Sequence, residues 1–184
     1  MSTQREPVRP AEAGDAWLRP AAGLSDAEAL AHLHLDVWED AYTGLMPAQL
    51  LAERRARPEE RVASWRRVLA SRAAALDADP GAEPVWLAED RTGLVGFASA
   101  GPGRDDDPGL PALELSALYV RARRWGTGLG HRLLVATLGE RAAYLWVLAG
   151  NDRATGFYER HGFALDGEVD DGDAHGRHLR MVRR

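Results

Sequence analysis

Apolar residues recur along this chain with two different periods, and the points where the period changes predict its elements. Leu30, Leu33, Val37, Trp38 and Ala41 follow at helical spacing behind a capping-type start, Ser25-Asp26-Ala27-Glu28, until Gly44 and Pro47 interrupt. A second helix is predicted over 58–76, with Val62, Trp65 and Leu69 on one face and arginines on the other, closed by Asp79-Pro80-Gly81. The period then shortens. Residues 85–89 and 94–100 read as strands of an antiparallel pair joined by Asp90-Arg91-Thr92-Gly93. After a Gly/Pro/Asp-rich loop over 101–111 come a strand at 113–120, a helix carrying Leu129, Leu133, Leu134 and Leu138, and a strand at 144–148. A short helix over 152–161, stopped by Gly162, and strands near 163–169 and 178–183 complete a mixed α/β pattern.

The junction after the strand at 113–120 carries the strongest chemical signal. Gly126, Gly128 and Gly130 stand at alternate positions, where positive φ lets successive N–H groups point the same way at a helix mouth. Such a loop cradles a pyrophosphate; a plain glycine turn is the other reading. The strand–loop–helix–strand order predicts a right-handed crossover with the two strands parallel and the loop facing a cleft.

Composition removes several alternatives. The 184 residues, 45% hydrophobic and 28% charged, suit one domain with its own core. A net charge of −5 argues against a nucleic-acid surface, and no apolar run approaches the ~18 residues of a membrane span. The chain has no cysteine, which excludes thiol nucleophiles, disulfides and Cys-ligated zinc. Every basic residue other than histidine is arginine, so no lysine completes a Walker loop or forms a Schiff base. Around Ser99 the nucleophile-elbow glycine is missing two positions earlier. His32 and His34, two apart on a helix, and His175 and His178, about a turn, make no persuasive metal set. The polar segment 1–10 has no apolar signal core, and a cytoplasmic protein is expected.

Two stretches then resemble known motifs. Glu114-Leu115-Ser116-Ala117-Leu118-Tyr119-Val120 followed by Trp125-Gly126-Thr127-Gly128-Leu129-Gly130 resembles the acetyl-CoA motif of the GCN5-related N-acetyltransferase (GNAT) superfamily, and 151–163, with Asn151, Phe157-Tyr158-Glu159 and Gly162-Phe163, resembles its later motif. Residues 38–47 resemble bacterial members as well, and the likeness runs from about Val8 onward as a single domain, with 1–7 as a flexible start and 17–24 as an insertion before the first helix. Trp125 departs from the family pattern, which has Gln or Arg there.

The resemblance implies a mostly antiparallel mixed sheet of about seven strands, splayed between the fourth and fifth, with about four helices. It implies an acetyl-CoA-dependent transfer of an acetyl group to the amine of a small molecule or peptide, by direct attack in a ternary complex. Pyrophosphate would be held by N–H groups from Trp125, Gly126, Thr127, Gly128, Leu129, Gly130 and His131, with Arg123 or Arg124 near other phosphates or simply solvated. The pantetheine arm would lie along Leu118, Tyr119 and Val120, with Arg153, Ala154 and Phe157 beside it. Asn151 would bind a pantetheine amide, an Asn-type turn being the alternative. Glu114 is the candidate base for the amine, directly or through water, or else a half-exposed strand carboxylate; Tyr158 is the candidate acid for the departing thiolate, or else packing. Trp38, Tyr42, Asp105 and Asp106 flank the acceptor side. A homodimer through the C-terminal strands is compatible with the superfamily. The competing reading is a non-catalytic acyl-CoA-binding or regulatory module; a dinucleotide oxidoreductase fits worse, because its loop is G-x-G-x-x-G near the first strand.

Overall fold

The computed structural model describes residues 16–79, 81–171 and 176–184, so the expectations for 1–7 and for His175 lie outside the described residues. In chain order the elements are β1 (Trp17–Pro20), α1 (Ala27–Tyr42), α2 (Ala48–Arg55), α3 (Pro58–Ala78), β2 (Trp86–Asp90), β3 (Gly93–Pro102), β4 (Leu113–Val120), α4 (Leu129–Leu138), β5 (Ala143–Leu148), α5 (Asp152–Glu159), β6 (Ala164–Asp170) and β7 (His178–Arg183). One seven-stranded sheet has the order β1-β2-β3-β4-β5-β7-β6, antiparallel except for β4 beside β5. Among the described residues no helix is long and apolar enough to cross a membrane.

Alternation along the strands divides the core into two layers. Leu87 and Phe97 face one side and pack with Leu30 and Val37 of α1 and Trp65 and Leu69 of α3. Their neighbours Ala88 and Ala98 face the other side and pack with Leu129 and Leu133 of α4. The same α4 layer continues over β5 through Leu134, Leu138, Leu145 and Tyr158.

Three expectations change. Residues 17–24, expected as an insertion, contain β1: Trp17–Pro20 pairs antiparallel with β2 at the sheet edge. Ala48–Arg55 forms a helix that periodicity did not reveal, since only Leu51 of it is buried; Pro47, read as a stop, stands at its N-cap. Asp26 makes no side-chain cap bond. Its carboxylate instead accepts from Arg19 at 2.7 and 2.9 Å and from the Ala22 N–H at 2.6 Å, tying β1 to the start of α1.

The decisive irregularity is in β4. Ser99 pairs with Ala117 but Ala100 pairs with Leu115, so Ser116 is an extra residue, a β-bulge. Leu115 packs in the α4 layer; beyond the bulge it is Leu118 that does so, while Ala117 and Tyr119 turn to the α1/α3 layer. The bulge shifts the side-chain phase by one and bends the strand. On the other edge β4 meets β5 at a single pair, Glu114 with Tyr144, and the two strands part beyond it.

Candidate active site

The parting of β4 and β5 opens a cavity of about 230 Å³, lined on one wall by Leu115–Val120 and on the other by Trp146, Val147 and Leu148. Asn151, Arg153, Ala154, Phe157, Tyr158 and Arg160 of the α5 region form its floor, and Ala41, Tyr42, Trp125, Gly126 and Gly130 its mouth. The Arg121 N–H donates to the Val95 carbonyl at 2.9 Å, so Arg121, Tyr119 and Ala117 direct their main-chain groups to β3. By alternation, Leu118 and Val120 direct theirs to the open edge. There the Val120 carbonyl accepts from the Trp125 indole N–H at 2.8 Å, with no other partner for these groups among the described residues.

At the mouth the glycines do different jobs. Gly126 (φ 74°) and Gly128 (φ 82°) hold left-handed conformations, and Gly128 is the N-cap of α4. Gly130 has no positive φ; it is needed because a Cβ there would lie 3.3 Å from the Phe157 ring. The first bond of α4 runs from the Arg132 N–H to the Gly128 carbonyl at 3.1 Å, which leaves the Leu129, Gly130 and His131 N–H groups without a helical acceptor. Three free N–H groups at a helix start suit an anion such as pyrophosphate, and two facing main-chain groups on an open strand edge suit an amide-bearing arm. The residues present therefore fit a coenzyme of that shape.

Several residues expected at the site are engaged elsewhere. Arg123 and Arg124 both bind Asp90, at 2.9 and 2.5 Å, and the nearly buried Asp90 carboxyl is held well below the usual carboxylate range, first by Arg123. The Trp125 N–H donates to the Ala122 carbonyl at 3.1 Å, and its ring carries the Arg153 guanidinium 3.4 Å from the centroid. Thr127 Oγ1 donates to the Arg124 carbonyl at 2.8 Å, and Leu129 is buried against the sheet. His131 Nδ1 lies 2.9 Å from His161 Nε2, outside the cavity wall. The Asn151 side-chain oxygen accepts from the Ala154 N–H at 3.1 Å as the N-cap of α5; its amide NH₂ stays available at the cavity wall. Trp38 packs in the α1 core beneath the Arg54 guanidinium, 3.6 Å away, rather than lining the cavity.

Tyr158 and Glu114 are placed differently. Tyr158 lines the cavity and is 9% exposed; burial and the neighbouring Tyr42 push its hydroxyl upward, so it keeps its proton through the neutral range. Tyr42 reaches the same region and shares a 2.9 Å hydrogen bond with the Tyr119 hydroxyl. Glu114 sits where β4 and β5 are still paired, below the cavity wall. Arg104 Nε is 3.2 Å from its Oε1, and the Tyr144 hydroxyl 3.4 Å from its Oε2. Burial raises its pKa against the opposing pull of Arg104. Asp105 and Asp106 line a separate open basin with Arg104, Glu168, Asp170 and Arg180, and Trp146 is the wall common to basin and cavity.

Trp146, Ser116 and Arg160 were not foreseen. Arg153, Phe157 and Arg160 fall at i, i+4 and i+7, one face of α5, and that spacing was the available signal for Arg160. Nothing in the sequence marks the bulge at Ser116.

Comparisons with known proteins agree with this geometry. Residues 81–165 match the family described as the acetyltransferase (GNAT) domain. A probable N-acetyltransferase of Mycobacterium tuberculosis is 27% identical over 152 residues, covering 81% of this chain and 80% of the relative. The spermine/spermidine N(1)-acetyltransferase of Bacillus subtilis is 34% identical over 86 residues, 42% of this chain and 57% of that one. The solved structure of a PaiA N-acetyltransferase from Thermoplasma acidophilum in complex with coenzyme A shares the fold at 19% identity and a TM-score of 0.64, covering 92% of this chain and 99% of that one. Residues 81–165, around which the fold is built, are what this chain has in common with the acetyltransferase (GNAT) domain.

Proposed function

We propose that the protein transfers the acetyl group of acetyl-CoA to a primary amine of a small molecule or peptide, by direct attack with both substrates bound. The observation that carries this reading is the unpaired edge of β4 running into the glycine-capped start of α4. In it the N–H groups of Leu129, Gly130 and His131 hold the pyrophosphate, the main-chain groups of Leu118 and Val120 hold the pantetheine arm, and the Asn151 NH₂ joins them. Arg153, stacked on Trp125, and Arg160 line the cavity and supply positive charge there, in place of Arg123 and Arg124. Acetyl-CoA brings an acetyl thioester, activated toward amines.

The chain's own residues handle the protons. An alkyl ammonium with a pKa of ~10 must lose a proton before it can attack. Glu114 takes that proton through water, a distance its place below the cavity wall requires. The main-chain N–H groups on the open edge near Val120 face the developing oxyanion. Tyr158, protonated and lining the cavity, gives a proton to the thiolate. The acidic basin on the far side of Trp146 favours cationic acceptors. The polyamine named for the Bacillus subtilis relative is one such class.

The test is thiol release from acetyl-CoA with polyamines, amino acids, aminoglycosides and basic peptides; the cysteine-free chain adds no thiol of its own. Amine-dependent release is the expected result. Tight binding of acetyl-CoA without release across the panel would favour a regulatory acyl-CoA-binding module.

A further inference from the structure

Glu114, the carboxylate to which an acceptor amine must hand its proton, is already covered by a cation of the protein. The Arg104 Nε lies 3.2 Å from Glu114 Oε1; the Glu114 side chain is 7% exposed and that of Arg104 66%. We propose that Arg104 determines acceptor specificity by holding the seat of a cationic head group at Glu114, which a diamine or longer polyamine takes over when it binds. The proposal rests on the reading of Glu114 as the amine-facing carboxylate.

The main chain at Arg104 and the two aspartates beside it, Asp105 and Asp107, are held by the sheet. The Tyr144 hydroxyl accepts from the Arg104 and Asp105 N–H groups at 2.8 and 3.1 Å. Trp146 Nε1 donates to Asp105 at 3.0 Å, and Arg180, itself 8% exposed, donates to Asp107 at 3.0 Å. Gly103 permits the close approach, because a Cβ there would lie 2.8 Å from the Tyr144 hydroxyl oxygen. The backbone is thus fixed while the guanidinium, mostly in water, is free to swing. Leaving returns the guanidinium to water it already largely occupies, so the cost of the exchange falls on the carboxylate. Glu114 is in the opposite position: a buried carboxylate needs a replacement cation at once.

The exchange also selects the incoming molecule. Arg104 borders the basin that holds Asp106 and Glu168, so a second ammonium of a diamine finds carboxylates where the guanidinium swings away. An acceptor with a carboxylate beside its amine meets those same negative charges. Cationic chains are therefore favoured over free amino acids.

The variant Arg104→Met keeps the apolar stem and removes the charge. With putrescine as acceptor, its KM should fall about two- to five-fold, because no guanidinium has to be displaced, with the change in KM rather than kcat. The acid limb of kcat/KM should move to higher pH, because burial and Asp105 then act on Glu114 without the guanidinium's opposing pull, while the Tyr144 hydroxyl stays in place. Arg104→Lys should restore the wild-type profile. A KM that is unchanged or higher in Arg104→Met overturns the proposal. A second readout needs no turnover: the Arg104 Nε resonance in nitrogen-15 NMR should shift toward its free-solvent position as putrescine is added, and should start there in Glu114→Gln. A resonance that ignores saturating putrescine overturns the exchange alone. Putrescine-driven displacement in a protein that acetylates no amine upholds the exchange and overturns the acetyltransfer reading.

Discussion

The two edges of β4 behave as if they belonged to different proteins. Toward β3 the strand is paired from Leu113 to Val120, interrupted only by the bulge, and the layer behind it is filled by Phe97 and Tyr119 packed with Trp65 and His34. Toward β5 it is paired once, at Glu114, and then faces a cavity. The same strand therefore supplies stability on one side and, at Leu118 and Val120, main-chain groups turned to an open edge on the other. A main-chain group left without a partner is costly unless water or a ligand satisfies it, which is the reason for proposing a ligand on the open edge.

Substitutions should separate the two edges. The largest effect is expected on the paired side: Phe97→Ala, at a fully buried ring, should cost about 3–5 kcal/mol in denaturant unfolding. On the open side, Tyr158→Phe should lower kcat about 10²-fold while leaving the melting temperature near wild type, because only a hydroxyl is lost. A third test uses acid. His34 accepts from Trp65 Nε1 at 3.1 Å and its pKa is pushed down to about 3, by burial first and then by Arg61 and Arg54. Folding holds it neutral, so its contribution is complete above the unfolded value of about 6.5 and fades as pH falls from there toward 3. Wild-type stability should carry a contribution of up to about 1.4 kcal/mol per pH unit in that window, absent in His34→Gln, as read by unfolding at stepped pH. The smallest effect is expected at the mouth. Gly128→Val forces a branched side chain into a left-handed conformation, a cost of about 1–2 kcal/mol, and should weaken coenzyme A binding about tenfold by calorimetry.

What the sequence made legible follows the same division. Elements that bury a periodic apolar face were readable: α1 from Leu30 to Val37, α3 from Val62 to Leu69, α4 from Leu129 to Leu138. The glycine loop was readable too, because left-handed backbone at Gly126 and Gly128 demands that residue type. Missing were β1, a four-residue edge strand, and α2, which buries a single leucine. Long-range pairings were also invisible. Asp90 claims Arg123 and Arg124 from 33 and 34 positions away, and Arg104 reaches Glu114 through a loop whose fold depends on the Tyr144 hydroxyl. Local pattern announces the cradle; it does not announce which charges around it are already spoken for.

The most direct test is amide hydrogen exchange along β4, followed by NMR with and without coenzyme A. Without ligand, Leu118 and Val120 should exchange fast while Tyr119 and Arg121, turned toward β3, exchange slowly. Adding coenzyme A should slow Leu118 and Val120 by about tenfold or more, the worth of a hydrogen bond gained, and leave Tyr119 and Arg121 as they were. Exchange at Leu118 and Val120 that is slow from the start, or unchanged when coenzyme A is bound, would contradict the assignment of the open edge to the coenzyme.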